Sequence, residues 1–363
     1  MKIRYCFWIL LLLCGSRAFA ADSLRYRIVF YNVENLFDPT DDSLKNDDSF
    51  TPDGFNHWTY KKMMLKINNI AKVILCIGEG DPPAVVCMAE IENLNVLKKL
   101  CNASPLKKYG YKIIHYDSPD RRGIEVAMLY RPDKIQVIHS EALPVVFPFD
   151  PAAQNRDILY AVAVCAADTG DLFSQDADGA VGENQPQRDT LHLFVNHWTS
   201  RYGGYAATIP KRNHYAAIVK RKSDSLLQAN PLARIYITGD FNDYPTDESI
   251  SEILQAREPN KTGGGKLFNL MLPFARRPNT GTHKREDFWG CLDQVIVSRA
   301  LLNPDNSLHI LNNEAHILSA DFLLEPDEKY GGVKVHRTFS GPRYIGGYSD
   351  HLPIYVEMIQ RRK

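Results

Sequence analysis

Short runs of β-branched and aromatic residues recur along the chain, and such runs predict β-strands. Neighbouring runs are often separated by too few residues for a crossover helix, so the pattern predicts mixed sheets with antiparallel pairs. The predicted strands cover residues 28–31, 84–89, 111–115, 124–130, 135–139, 159–166, 191–196, 234–239, 294–298 and 352–357.

Two segments have the spacing of amphipathic helices. Apolar residues recur every three or four positions from Met63 to Ile77, and Gly78 is a typical helix stop. A second helix is predicted over residues 213–228, before Pro231. The polar stretch 168–190 predicts a flexible insertion. The pattern favours one α/β (α+β) domain over residues 21–363, with two mixed sheets covered by helices.

The first twenty residues have the layout of a secretory signal peptide. Lys2 and Arg4 precede a short apolar segment over residues 7–13, and Ala18-Phe19-Ala20 matches a cleavage site. We therefore expect a secreted or periplasmic protein without a stable membrane anchor, because the apolar segment is too short to span a bilayer. Lipidation at Cys14 is the alternative, but bulky Leu13 precedes that cysteine.

Charge balance limits the classes of partner. Lys and Arg total 43, as do Asp and Glu, so the chain lacks the basic excess of tight nucleic-acid binders. Five of the seven cysteines follow the predicted cleavage site, without the Cys-x-x-Cys spacing of zinc or redox sites. The sequence assigns no disulfide and does not determine the oligomeric state.

Polar residues stand at the ends of several predicted strands. A single polar residue there is usually a turn former, but repeated carboxylates, amides and imidazoles predict a site held by rigid backbone. Their oxygen atoms suit Mg²⁺, with Mn²⁺ or Ca²⁺ as alternatives, better than zinc. The residues are Asn32, Glu34, Glu90, His197, Asp240, Asn242, Asp293, Asp350 and His351.

Phosphate-ester hydrolysis needs the groups that this set contains. A cation neutralises charge on the phosphoryl oxygens, a base orients or deprotonates water, and an imidazolium stabilises the transition state. The set therefore predicts a metal-assisted hydrolase.

Six short motifs occur in one order between residues 32 and 353, and the series resembles the DNase I-like endonuclease/exonuclease/phosphatase superfamily. The resemblance implies a four-layer α/β/β/α sandwich with the site at one end of the two sheets. The motifs are Tyr31-Asn32-Val33-Glu34-Asn35, Met88-Ala89-Glu90, Asn196-His197-Trp198, Gly239-Asp240-Phe241-Asn242, Leu292-Asp293-Gln294 and Ser349-Asp350-His351-Leu352-Pro353.

The resemblance also implies metal ligands. Glu90 would be the main ligand of the cation, with Asn32 beside it and Asp350 near the metal. Whether Glu34 also binds metal stays open, since Glu34-Asn35 departs from the family pattern. Tyr31 stands where many members have tryptophan.

The remaining roles concern the phosphate and the attacking water. The resemblance implies that Asp240 orients or deprotonates the water and that Asn242 holds water and phosphate. His351, oriented by Asp293, would contact the scissile phosphate. His197 would be a second imidazole there, as in the DNase I, sphingomyelinase and inositol-phosphatase branches.

Arg122 is the candidate phosphate-binding cation, since its planar guanidinium suits a phosphate. A solvated loop arginine is the competing interpretation. The other nine histidines are interpreted as surface or structural residues: His57, His115, His139, His192, His214, His283, His309, His316 and His336.

The first functional hypothesis is a nuclease-like phosphodiesterase that uses Mg²⁺ on a phosphate-ester substrate such as a nucleic acid. The second is a phosphatase or a phospholipase C-like hydrolase of small esters or phospholipid headgroups, which neutral charge favours over duplex DNA. A third, a non-catalytic binding protein, predicts that an essential residue is missing, and none is.

Overall fold

The computed structural model describes residues 23–165, 190–259 and 264–361. The predicted signal peptide over residues 1–20 lies outside the described residues, and so does the predicted insertion over 168–190 except for its last residue. Within the described part, no helix is both long enough and apolar enough to cross a membrane.

Strands dominate the described chain, and every predicted strand is present. In chain order they are β1 (Ser23–Leu36), β2 (Val85–Ile91), β3 (Lys112–His115), β4 (Glu125–Tyr130), β5 (Ile135–Leu143), β6 (Ile158–Cys165), β7 (Thr190–His197), β8 (Arg234–Asp240), β9 (Ala256–Arg257), β10 (Leu267–Asn269), β11 (His283–Arg285), β12 (Phe288–Gly290), β13 (Asp293–Ser298), β14 (Leu308–Ile317), β15 (Leu324–Pro326), β16 (Val333–Val335), β17 (Phe339–Ser340), β18 (Arg343–Tyr344) and β19 (Ile354–Arg361).

The long strands form two sheets. One has the order β14-β19-β1-β2-β4-β3 and the other has the order β5-β6-β7-β8-β13-β10-β9. β1 and β2 are parallel, and so are β7 and β8, whereas β19 and β13 are antiparallel to their neighbours β1 and β8. The predicted mixed sheets are confirmed.

Helices cover the outer face of each sheet. They are α1 (Tyr60–Gly78), α2 (Leu94–Asn102), α3 (Tyr205–Ala229) and the short α4 (Leu272–Ala275). The Thr59 side chain accepts a hydrogen bond from the Lys62 backbone N–H and caps α1. Single turns of 3₁₀-helix lie at Asp48–Phe50, Pro105–Tyr109, Arg299–Leu301 and Asp321–Leu323, and a π-helical turn lies at Ser249–Ile253.

Several elements differ from the sequence prediction: the short elements β9–β12, β15–β18 and α4 were not predicted, and three longer ones also differ. α3 begins at Tyr205 rather than residue 213. The sequence prediction missed its first two turns because they contain Pro210 and half of their residues are exposed. α2 is so short that it buries only four side chains, which left little periodicity to detect. β14 was missed because Asn312 and Asn313 adopt positive φ angles and interrupt its apolar pattern with a bulge.

The alternation of side chains along the strands explains the layers. In β1, Phe30 points into the core between the sheets, whereas Val29 packs against Ile67 of α1. In the second sheet, Tyr236 faces the core between the sheets, and Ile237 packs against the side of α3. Three apolar cores therefore separate four layers, which confirms the α/β/β/α sandwich.

Candidate active site

Strand register brings the predicted site residues to one end of the sandwich. In the second sheet, His197 of β7 and Asp293 of β13 both lie opposite Asp240, the last residue of β8. In the first sheet, Asn32 of β1 pairs with Ala89, the residue before Glu90. The ends of these strands therefore present their polar side chains together.

A hydrogen bond across the sandwich joins the two sheets at this end. Asn32 Nδ2 donates to Asp240 Oδ2 at 3.1 Å, and it lies 3.4 Å from Glu90 Oε1. Asn32 and Asp240 are buried. The amide of Asn32 thus holds the carboxylate from each sheet in one cluster.

His351 is anchored between the sheets by Asp293. Its Nδ1 donates to Asp293 Oδ2 at 2.7 Å, and its Nε2 lies 3.7 Å from Asp240 Oδ2. Ser349 positions the backbone, since its hydroxyl donates to Asn32 O and accepts from the His351 N–H. Burial alone would lower the pKa of His351, but the charges of Asp293 and Asp240 raise it well above its usual value. Both ring nitrogens of His351 are therefore protonated at neutral pH, and the ring is positively charged.

Asp240 is a buried carboxylate with a restricted orientation. Burial and the charge of Asp293 raise its pKa to about 6, while His351 opposes the shift. Its Oδ1 accepts the backbone N–H of Asn242 at 2.9 Å. The Asn242 side chain in turn donates to Trp198 O at 3.1 Å. This geometry holds a carboxylate that is ionised above about pH 6.

The pKa of His197 shifts in the opposite direction from that of His351. Burial, together with the cations Arg156, Arg122 and His351, lowers its pKa well below the usual value, so the ring is neutral. Its Nε2 lies 3.7 Å from Asp240 Oδ2 and 3.9 Å from Glu90 Oε1. Its buried Nδ1 has no hydrogen-bond partner among the described residues.

Backbone strain concentrates at the site. Glu34, Asn35, Glu90 and Asn242 all have φ between 51° and 64°, which non-glycine residues adopt rarely. Glu90 interrupts the pairing of β2 with β4, so it lies in a bulge that redirects its side chain. The Asn35 N–H donates to Glu90 Oε2 at 2.9 Å and orients the carboxylate.

A second charged group comprises Glu34, Arg337, Asp350 and Lys66. Glu34 accepts hydrogen bonds from Arg337 Nε and from the Thr338 N–H, at 2.9 and 2.6 Å. Arg337 also donates to Asp350 Oδ2 at 3.0 Å. The buried amine of Lys66, on α1, binds the hydroxyl of Thr338. The carboxylates of Glu34 and Asp350 therefore share one arginine partner, Arg337.

The oxygen donors at the open side of the site suit a hard divalent cation. Two triads have ligand atoms within 4.8 Å of one another, His283 with Asp350 and His351, and Asp240 with Asp293 and His351. Both include His351, whose Nδ1 already donates to Asp293 Oδ2. The carboxylate of Glu90, only 15% exposed, and the nearby amide of Asn32 fit a magnesium-like ion better.

The remaining predicted residue, Arg122, lies at the rim. Its side chain is half-exposed, its backbone N–H donates to Asp120 Oδ1 at 2.9 Å, and its charge acts on His197. The described cysteines are free.

His283, interpreted from the sequence as a surface or structural residue, has a ring that contacts the site. It packs against the His351 ring with centroids 4.9 Å apart, and the two residues form a β-bridge. Arg337 and Lys66 were also missed. None of the three residues follows a predicted strand or belongs to one of the motifs, so the local sequence gave no signal for them.

This four-layer sandwich, with imidazoles and carboxylates gathered at the ends of both sheets, defines a hydrolase of phosphate esters of the DNase I-like type. The chain belongs to the endonuclease/exonuclease/phosphatase family, whose model matches residues 27–360. The resemblance inferred from the motifs is thereby confirmed, and the chain is a phosphoric ester hydrolase.

Solved structures share the fold at low sequence identity. An endonuclease/exonuclease/phosphatase family protein from Bacteroides thetaiotaomicron is 17% identical with a TM-score of 0.54, covering 94% of this chain and 100% of that one. A mannosyl-6-phosphatase from the same species is 18% identical, with a TM-score of 0.53 and coverage of 92% and 99%. Humanized D. rerio TDP2 is 13% identical, with a TM-score of 0.52 and coverage of 92% and 98%. No curated protein matches significantly.

Proposed function

We propose that this chain is a divalent-metal-dependent hydrolase in which a water molecule attacks the phosphorus of a phosphate ester. The observation that carries the proposal is the Asn32–Asp240 hydrogen bond across the sandwich. That bond keeps the cation-binding carboxylate of one sheet beside the acid–base groups of the other.

Asp240 is the residue that orients or deprotonates the attacking water. Its position between His197 and Asp293 is held by strand register, and its Oδ1 is held by the Asn242 N–H. Because its pKa is about 6, it is ionised at neutral pH yet basic enough to accept a proton.

His351 and His197 act on the phosphate in different ways. The imidazolium of His351 is oriented by Asp293 and donates a charge-assisted hydrogen bond to a phosphoryl oxygen as negative charge accumulates. The neutral ring of His197 contributes a hydrogen bond without charge. Asn242 holds the phosphate and the water, and Arg122 contacts the phosphate from the rim.

Glu90 is the main ligand of the cation, with Asn32 beside it and Asp350 near it. Mg²⁺ is the first candidate, with Mn²⁺ or Ca²⁺ as alternatives. Glu34 bonds Arg337 and Thr338, which favours a supporting role over direct ligation. A cation bound there would supply positive charge to the phosphoryl and leaving oxygens.

The test is hydrolysis by purified protein with Mg²⁺ or with EDTA. Plasmid DNA, RNA, bis-p-nitrophenyl phosphate, p-nitrophenyl phosphate and sphingomyelin are the substrates. Turnover that requires Mg²⁺ is expected, and cleavage of DNA, RNA or the diester alone identifies a nuclease-like phosphodiesterase. Turnover that persists in EDTA would contradict the metal dependence.

A phosphatase of small phosphate esters is the second candidate. A cleft of about 660 Å³ is lined by both acidic and basic residues and by Thr199, two residues after His197. A mixed lining suits a small polar substrate better than a polyanionic duplex, which binds uniformly basic surfaces. Turnover of p-nitrophenyl phosphate without the diester would favour this function.

Export and a single catalytic domain over residues 21–363 are part of the proposal. The single domain rests on the motif series between residues 32 and 353, and export rests on the signal-like N-terminus. N-terminal sequencing of protein recovered outside the cytoplasm tests export. Ala21 is the expected first residue, whereas an intact Met1 on cytoplasmic protein would contradict export.

A further inference from the structure

The segment over residues 336–348 leads towards Asp350 and folds back on itself, and we call it the hairpin segment. Strands β17 and β18 pair antiparallel within it, and the Gly347 N–H donates to Arg337 O at 3.1 Å near its base. A Cβ at Gly347 would collide with the Arg337 carbonyl, so only glycine lets the two arms come this close. The two arms therefore behave as one unit, and their common position sets that of Arg337.

Two carboxylates of the candidate site are bonded to this segment. Arg337 donates from Nε to Glu34 Oε1 at 2.9 Å and from Nη2 to Asp350 Oδ2 at 3.0 Å. The Thr338 N–H donates to Glu34 Oε2 at 2.6 Å. A shift of the hairpin segment would therefore move the arginine that neutralises both carboxylates.

Helix α1 holds the hairpin segment from the outer layer of the sandwich. Lys66 and Asn69 are three residues apart, so they are neighbours on one face of the helix. The Lys66 amine donates to the Thr338 hydroxyl and, at 3.2 Å, to Tyr348 O. Asn69 Nδ2 donates to the carbonyls of residues 346–347 at 3.1 and 2.9 Å. These four hydrogen bonds reach both arms of the hairpin segment.

Burial of Lys66 is not favourable in itself. The side chain is buried, and the charges of Glu34 and Asp350 act on its amine. Taking an ammonium group out of water costs free energy, and an apolar side chain of similar volume often packs as well or better. What Lys66 supplies is direction, because its N–H donors fix two oxygen atoms that an apolar side chain could not hold.

The residues of the second sheet are held independently of this helix. Asp240 and Asp293 lie opposite each other in the pairing of β8 with β13, and Asp293 bonds the ring of His351. These contacts involve neither α1 nor the hairpin segment. A displaced hairpin segment is therefore expected to disturb the side of the site that carries Glu90 more than the residues that exchange protons.

We propose that Lys66 and Asn69 are positioning residues, which fasten the hairpin segment to α1 and thereby fix Arg337 and Asp350 for binding of the divalent cation. Both act through the hairpin segment, and neither is a ligand of the cation. The inference rests on the proposed function, because it concerns the affinity for that cation.

The experiment measures Mn²⁺ binding to purified full-length protein by electron paramagnetic resonance, which requires no turnover. The kcat for bis-p-nitrophenyl phosphate at saturating Mg²⁺ is measured alongside, and thermal melts verify folding. The variants are Lys66→Met and Asn69→Ala. Asn68→Ala is the matched control, because the exposed Asn68 is next to Asn69 and donates to Met64 O of its own helix. The exposed Lys61→Met is the control for the lysine.

Lys66→Met is expected to raise the Kd for Mn²⁺ about tenfold, because residues that orient a metal site typically change its affinity by about 10–100-fold. Asn69→Ala is expected to raise the Kd about threefold, since it removes neutral hydrogen bonds. The kcat at saturating Mg²⁺ is expected to change less than about threefold in both variants. The two controls are expected to match the wild-type protein.

Three results would overturn the inference. Unchanged Mn²⁺ affinity in the folded variants would do so while leaving the proposed function intact. A fall in kcat as large as the loss of affinity would show that the two residues support the whole site rather than the cation side. Wild-type protein that binds no Mn²⁺ would refute both the inference and the proposed metal dependence. If Lys66→Met does not fold, the comparison of Asn69→Ala with Asn68→Ala decides.

Discussion

The two sheets contribute chemically different halves to the candidate site. Strand ends of the first sheet carry Asn32 and Glu90, which are oxygen donors, whereas those of the second carry His197, Asp240 and Asp293, which exchange or orient protons. The second half is almost fully buried, while Glu90 and Asp350 retain 15% and 22% exposure of their side chains. The residues that exchange or orient protons are thus shielded from solvent, whereas the side suited to a cation is partly exposed.

Burial alone does not decide how a group in this site titrates. His197 and His351 are both buried, yet their pKa values move in opposite directions. Two nearby carboxylates raise the pKa of His351, whereas cations reinforce the effect of burial on His197. The carboxylates of the second sheet therefore set different protonation states in two similar rings.

The largest expected effect comes from the proton-exchanging half. We expect His351→Gln to lower kcat for bis-p-nitrophenyl phosphate by roughly 10²–10⁴-fold, because the imidazolium bonded to Asp293 is lost. Steady-state kinetics measures the loss, and a thermal melt verifies folding. The exposed His139→Gln is the control and is expected to leave kcat unchanged. A folded variant with near-normal kcat would remove His351 from the mechanism.

The next effect concerns the buried amine of Lys66. Burial lowers the pKa of Lys66 to about 8, against the attraction of Glu34. In the unfolded chain the amine has a pKa near 10.4, so between these values the unfolded state binds more protons and stability rises with pH. Urea unfolding at pH 7 and pH 10 is expected to show a gain for the wild type of about 2–3 kcal/mol relative to Lys66→Met.

The control for this measurement is Lys61→Met, on an exposed position of the same helix α1. It is expected to follow the wild-type dependence on pH. If the stability difference between wild type and Lys66→Met were the same at both pH values, Lys66 would titrate alike in the folded and unfolded states.

A smaller effect tests the proposed cation-binding half directly. We expect Glu90→Gln to raise the Mg²⁺ concentration for half-maximal activity by about 10–100-fold, since a neutral amide replaces the carboxylate oriented by the Asn35 N–H. A titration of activity against Mg²⁺ gives the value. The exposed Glu314→Gln is the control. An unaltered Mg²⁺ requirement would exclude Glu90 as the main ligand.

The smallest effect is expected at the rim. Arg122→Met should raise KM about two- to fivefold with kcat unchanged, because a half-exposed cation contributes little to binding. Initial rates over a range of substrate concentrations separate the two constants. Arg343→Met, at another exposed position, is the comparison variant. A large fall in kcat would instead assign Arg122 to transition-state stabilisation.

Much of the fold was readable from the sequence because its strands are short and apolar. Each predicted strand is present, and the polar residues at the strand ends meet at one end of the sandwich. The motifs also predicted the family. Elements with weak periodicity were harder, as in α2, which buries few side chains, and in the interrupted strand β14.

The sequence by itself determined the strands, the residues at their ends and the family, since each depends on local pattern or on ordered motifs. Tertiary structure decided which distant residues meet. It brought Lys66 under the loop that holds Arg337, placed His283 against His351, and formed the cleft from separate loops. These contacts, and the opposite pKa shifts of the two histidines, depend on distances between side chains far apart in the chain, which no local pattern encodes.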